Sequence, residues 1–151
     1  MKVTYTPNPD YHVSDSFTYK ANDGNVNSNI ATVTITVTNT NDTPVLTAIT
    51  APDAVLEDGA NITVTVAPTD EDIEASLTVS VITNNGSLFP SGSITVSPES
   101  GGSGTPRTIT MNSADNQSGT ALVTVSVTDG SLTVNQQFTA TVTAVNDAPT
   151  I

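Results

Sequence analysis

Side-chain oxygen dominates the chemistry available to this chain. Fifteen Asp+Glu stand against three Lys+Arg, for a net charge of -12, and the acids are not scattered. The runs 31–38, 62–66, 77–81, 122–127 and 138–143 carry no charge. Acids and their amide counterparts fall between them: Asn39, Asn41 and Asp42 just before Pro44; Glu57 and Asp58; Asp70-Glu71-Asp72; Asp115-Asn116-Gln117; and Asn146-Asp147 before Pro149. Carboxylates brought together repel one another unless a cation offsets them. A hard ion such as Ca²⁺ takes about 6–8 oxygens from carboxylates, carbonyls, amides and water, so these clusters point to cation binding. The bland alternative uses the same residues. Asp and Asn are turn formers, Asn-Asp-x-Pro suits an Asx-turn entering an extended segment, and surplus charge aids solubility.

Other chemistries have little to work with. With no Cys there is neither a disulfide framework nor a thiolate nucleophile, and one His cannot build a multi-imidazole zinc site. That residue, His12, reads as a surface group in a loop. A paired-carboxylate hydrolase needs an acid held in a cleft, and here the acids sit at turns and linkers, so no catalytic activity is expected. Lys20 alternates outward, which argues against an internal isopeptide bond. Aromatics are 4% with no Trp, a poor platform for sugar stacking, although Tyr5 and Tyr11 are available; Tyr19 is expected in the core. The acidic balance opposes nucleic acid and anionic membranes. No apolar run is long enough to span a bilayer. Residues 1–5 lack the apolar stretch of a secretory leader, so any export signal is expected elsewhere in a longer protein.

The elements that must position the acids are strands. Hydrophobic content is 36%, rich in Val and interleaved with Thr, and β-branched side chains suit a pleated, half-buried surface. Period-two alternation is strict through 17–21, 31–38, 62–66, 77–81, 122–127 and 138–143, which predicts antiparallel sheet with a Val/Ile/Leu face inward and a Thr face outward. Turns are expected at Asn22-Asp23-Gly24, Glu57-Asp58-Gly59, Asn84-Asn85-Gly86 and Asp129-Gly130. The Gly/Ser/Pro-rich stretch 97–106 reads as a mobile surface loop.

The chain also repeats itself. Residues 17–24 match 123–130 with the Asp-Gly pairs in register, and Asn-Asp-x-Pro recurs at 41–44 and 146–149. Pro44 and Pro149 are 105 residues apart, 149 less 44, a spacing typical of one small β-sandwich. Residues 44–148 therefore read as one complete unit, 1–43 as the C-terminal half of a preceding unit, and 149–151 as the start of a following linker or repeat. A half-unit of some 40 residues buries too little to be stable alone. It must pack on the complete unit, be completed by other sequence, or exchange strands with another copy of the chain.

The motif 15–24, the two Asn-Asp-x-Pro segments and Leu56-Glu57-Asp58-Gly59, in this order, resemble bacterial cadherin-like or tandem Ig-like repeats of large secreted and surface adhesin-type proteins. The resemblance implies an all-β Ig/cadherin-like antiparallel sandwich, strung head to tail with Ca²⁺ at the linkers. It places Asp42, Asp70 and Asp72 in one site with Asn39 and Asn41 in the adjoining linker, and Asp15 as a weaker contributor. It places Glu57, Asp115, Asn146 and Asp147 in a second. In that second site Gln117 stands where the family carries an acid, so the first site is expected to be the better filled.

The function these readings favour is a structural spacer or adhesion module of an extracellular or bacterial cell-surface protein, rigidified by Ca²⁺ between neighbouring repeats. The alternatives are a carbohydrate-binding accessory module taking a surface glycan, and a subunit that homo-oligomerises by strand exchange of its N-terminal half.

Overall fold

The computed structural model describes residues 2–72 and 76–147. The sequence readings for 149–151, and for the Ala-Pro end of the second Asn-Asp-x-Pro, lie outside the described residues. Every regular element described is a strand, and the chain divides into two compact units, Met1–Asn41 and Asp42–Ile151.

The first unit contains one antiparallel pair, β1 (Ser14–Tyr19) and β2 (Ala31–Thr36), with Phe17 opposite Val33. The alternation of 31–36 is expressed directly: Ala31, Val33 and Ile35 are half-buried while the intervening Thr side chains are exposed. None of residues 2–41 is buried. Tyr19, expected in the core, is 53% exposed. Alternation assigns it correctly to the face of Phe17, but a face becomes a core only where a second layer covers it. Lys20 and His12 are exposed, as read from sequence.

The second unit is a two-sheet sandwich. One sheet has strand order β3-β10-β9-β5-β7 and the other β4-β8-β6. The strands are β3 (Val55–Leu56), β4 (Ile62–Val66), β5 (Leu77–Thr83), β6 (Ile94–Ser97), β7 (Ser100–Gly101), β8 (Arg107–Met111), β9 (Gly119–Thr128) and β10 (Thr133–Thr143). Pairing is antiparallel apart from β3, which lies parallel to β10 over two residues. Inward residues of both sheets meet in one core. Ile62, Val64 and Val66 of β4 and Ile109 and Met111 of β8 pack with Leu77, Val79, Val123, Val125, Val127, Phe138, Ala140 and Val142 from the larger sheet.

The stretch 97–106 is not simply a surface loop. It contains β7, which pairs with Leu77 and Thr78 of β5. Its anchor is Arg107, which takes an inward position on β8 and is fully buried. The guanidinium donates to the carbonyls of Gly101 (2.6 Å), Leu77 (2.9 Å), Gly102 (3.3 Å) and Thr105. A buried charge is tolerable when its donors find acceptors; here both terminal nitrogens do, while Nε is buried without a partner among the described residues, and desolvation pulls the Arg107 pKa below its usual value. Among the described residues no helix is long and apolar enough to cross a membrane.

Candidate metal centre

The chain enters the second unit at Asp42, and Pro44 just beyond it is fully buried. Val45 then bridges Thr69 through a pair of backbone hydrogen bonds, Val45 N to Thr69 O at 2.7 Å and Thr69 N to Val45 O at 3.0 Å. This bridge carries the entering chain past the segment after β4, and so brings residues 42 and 70–72 together across nearly 30 positions of sequence. The Asp42 N–H donates to Asp72 Oδ2 at 2.8 Å. The Asp72 N–H donates to Asp70 Oδ1 at 2.9 Å. Carboxylate oxygens of Asp42 and Glu71 lie within 4.8 Å of each other. The link from Asp42 through Asp72 to Asp70 therefore runs through backbone donors.

Asp70 is the unusual member. It is only 9% exposed, and its Oδ2 is buried without a hydrogen-bond partner among the described residues. A buried carboxylate oxygen without a donor costs free energy that a cation would recover. The oxygens of Asp70, Asp72, Asp42 and Glu71 are the hard, anionic donor type that Ca²⁺ takes, so the residues present fit such an ion. Glu71 was not singled out from sequence as a ligand; its place between two acids was the available signal.

The remaining expected ligands are placed differently. Asn39 and Asn41 are exposed at the end of the first unit, outside its strands. Asp15 Oδ2 accepts the Tyr5 hydroxyl at 2.8 Å. The Tyr5 phenol is pushed up to about 12, by desolvation first and by this hydrogen bond second. Glu57 reaches back to β10 and its exit: its N–H donates to Thr143 O at 3.0 Å and its Oε1 accepts Val145 N–H at 2.8 Å. Asn146 and Asp147 are exposed, with Asn146 Nδ2 donating to Asp147 O. Asp115 is exposed in a tight turn closed by Gln117 N to Ala114 O. Among the described residues neither Glu57, Asp115 and Asp147 nor Asp42, Asp70 and Asp72 gather as a three-carboxylate group.

A surface groove of about 680 Å³ lies between residues 47–53 and 63–67. Asp53 is the one ionisable group among its lining residues, so the groove offers no acid–base pair.

Comparison with known proteins is consistent with this architecture. Residues 1–36 match the family model described as a bacterial Ig domain. Among solved structures, domains 1–6 of the surface-layer protein SbsC are similar at 21% identity and a TM-score of 0.51, covering 89% of this chain and 17% of that one. A chimeric titin Z1Z2 matches at 16% identity and a TM-score of 0.49, over 70% of this chain and 99% of that one. The D00-D0 domain of intimin matches at 19% and 0.42, over 86% and 64%. A search of curated proteins finds no match. At such identities the surface-layer likeness speaks for the fold. The chain is an all-β, Ig-like β-sandwich protein whose first 36 residues are similar to a bacterial Ig domain.

Proposed function

We propose that this chain is a non-enzymatic structural module of a bacterial surface or extracellular protein, stiffened by Ca²⁺ held at Asp42, Asp70, Glu71 and Asp72. The observation that carries the reading is the buried Asp70 Oδ2 without a partner among the described residues, on a carboxylate linked through backbone donors to Asp72 and on to Asp42. The surface location and the module's place among neighbouring repeats rest on the bacterial Ig match and on the cadherin-like resemblance of the sequence. Asn39 and Asn41, the other ligands expected from the resemblance, belong to the end of the first unit. Glu57, Asp115, Asn146 and Asp147 form the weaker candidate, because Glu57 Oε1 already accepts the Val145 N–H and, among the described residues, none of the four has a buried side-chain oxygen without a partner.

The mechanism is electrostatic. Without metal the acids at 42 and 70–72 repel, which works against the hydrogen bonds that hold the entering chain to the segment after β4. With metal, Asp42 is tied to the segment after β4, and pulling the two apart would break coordination. Binding free energy then appears as stability.

A thermal melt in excess EDTA, in millimolar Ca²⁺ and in Mg²⁺ tests this. At free Ca²⁺ 100 times Kd the gain is about 2.7 kcal/mol, which in a unit of this size raises Tm by about 10 °C. The rise should be specific to Ca²⁺ and lost in an Asp42→Ala/Asp70→Ala double variant. An identical melt in EDTA and Ca²⁺ would reduce the acids to turn formers and solubility charge.

One observation favours a second reading, homo-oligomerisation by strand exchange. The inward-type residues of β1 and β2 are at most half-buried. Light scattering should then give a mass above one chain, and deleting residues 1–43 should return the monomer. An oligomer that survives the deletion would exclude exchange through this segment.

A further inference from the structure

Asp70 owes its place to a residue that carries no charge. We propose that Ser103 is a positioning residue for the cation site, fixing the Asp70 backbone so that its free carboxylate oxygen is already in place when the metal arrives. This rests on the cation reading given above.

The contact is reciprocal. The Asp70 N–H donates to Ser103 Oγ at 2.9 Å, and the Ser103 hydroxyl donates to the Asp70 carbonyl at 3.0 Å. One side chain 33 positions away thus satisfies both backbone groups of Asp70. The next residue repeats the attachment, with Gly104 N–H donating to Pro68 O at 2.8 Å. Residues 103 and 104 therefore run as a bracket beside 68–70. With its backbone clamped and its Oδ1 engaged by the Asp72 N–H, Asp70 has one oxygen left, the buried Oδ2.

A bracket holds only if its own base is rigid. In this loop, rich in Gly and Ser, rigidity comes from Arg107, whose guanidinium gathers the carbonyls of Gly101, Gly102 and Thr105 on either side of Ser103 and ties them to Leu77 on β5. The approach is close: a Cβ at Gly101 would stand 3.3 Å from Arg107 Nη2. The path from core to site runs from β5 through Arg107 and the loop to Ser103, and then to Asp70. Partners that orient metal ligands from behind typically contribute about 10–100-fold in metal affinity, because they remove ligand motion that binding would otherwise have to freeze.

Calcium titration by calorimetry, paired with a melt in EDTA, tests the assignment in wild type, Ser103→Ala, Ser103→Thr and Asp70→Asn. Ser103 is exposed, so its substitutions leave the core intact. Ser103→Ala should weaken Ca²⁺ binding about tenfold while its EDTA melt stays within a few degrees of wild type. Ser103→Thr keeps a hydroxyl and should restore most of the affinity. If Ser103→Ala binds Ca²⁺ as wild type does while Asp70→Asn loses binding, the positioning role is overturned and the cation reading stands. A lower EDTA melt with unchanged Kd would likewise make Ser103 a plain structural contact. A wild-type chain that takes up no Ca²⁺ overturns both. As a second route to the same loop, Arg107→Lys keeps the charge but loses the planar fork, and should weaken Ca²⁺ binding in the same direction as Ser103→Ala; wild-type affinity in this variant would remove Arg107 from the path.

Discussion

The hairpins β1–β2 and β9–β10 follow the same local instructions and reach different ends. In each, an Asp-Gly turn is capped by the Asp side chain. Asp23 Oδ1 accepts the N–H groups of Asn25 (2.9 Å) and Val26 (2.8 Å); Asp129 Oδ1 accepts those of Ser131 (2.6 Å) and Leu132 (2.7 Å). Gly24 and Gly130 take up left-handed backbone, at φ 104° and 98°, which a side chain would strain. Each hairpin carries a Phe–Val cross-strand pair, but with the partners exchanged: Phe17 faces Val33, and Val123 faces Phe138. The inner face of β9–β10 is nevertheless closed over most of its length, with Val123, Val125 and Val127 at 0% exposure and only Val134 and Gln136 half-buried, while that of β1–β2 is half open. Local pattern builds a hairpin; only a second sheet, here β4-β8-β6, turns its face into a core.

The largest expected effect separates the two Phe residues. Phe138→Ala should cost about 3–5 kcal/mol, the usual toll of emptying a buried aromatic site. Phe17→Ala should cost about 1 kcal/mol, because a half-buried side chain has less transfer free energy to lose. Urea unfolding of both variants checks this, and equal losses would break the contrast between a covered and an uncovered face.

A smaller effect sharpens the likeness of the turns. Asp129→Ala removes an acceptor for two backbone N–H groups and should cost about 1–2 kcal/mol, read as a shift in the urea midpoint at constant slope. No shift would mean that the Gly130 backbone alone sets the turn.

The smallest concerns protonation. The N–H groups of Val26 first and Asn25 second hold the Asp23 carboxyl below the usual Asp range. A depressed folded-state pKa means that the contribution is fully present above the ordinary value of about 3.9 and fades as pH falls through the lowered one. Carboxyl-carbon NMR titration should therefore find Asp23 among the last acids of the first unit to protonate on acidification. A midpoint at or above the ordinary value would dissolve the parallel with Asp129.

Much of the fold was legible where alternation was long. Residues 62–66 are β4 as read, and β5, β9 and β10 extend runs already visible. The strands β6 and β8 were not foreseen. They are four and five residues long, they flank a loop rich in Gly, Ser and Pro, and the first inward position of β8 is an arginine, which breaks the apolar pattern. β7 left no pattern because its two residues pair through backbone alone. At the candidate site, Asp42, Asp70 and Asp72 were nominated through the family resemblance. Ser103 could not be, since one Ser among several in a polar loop carries no mark of a contact formed 33 residues away.

The amino-acid sequence by itself determined the strands, the Asp-Gly turns and the placement of acids between strands. These depend on period two and on side chains bonding their own neighbouring backbone, both local properties. Tertiary structure decided which hairpin face is buried, that Arg107 lies inside, and that Asp70 retains a buried oxygen with no partner among the described residues. Each of these is a matter of desolvation, and desolvation is set by whatever packs over a residue from distant parts of the chain.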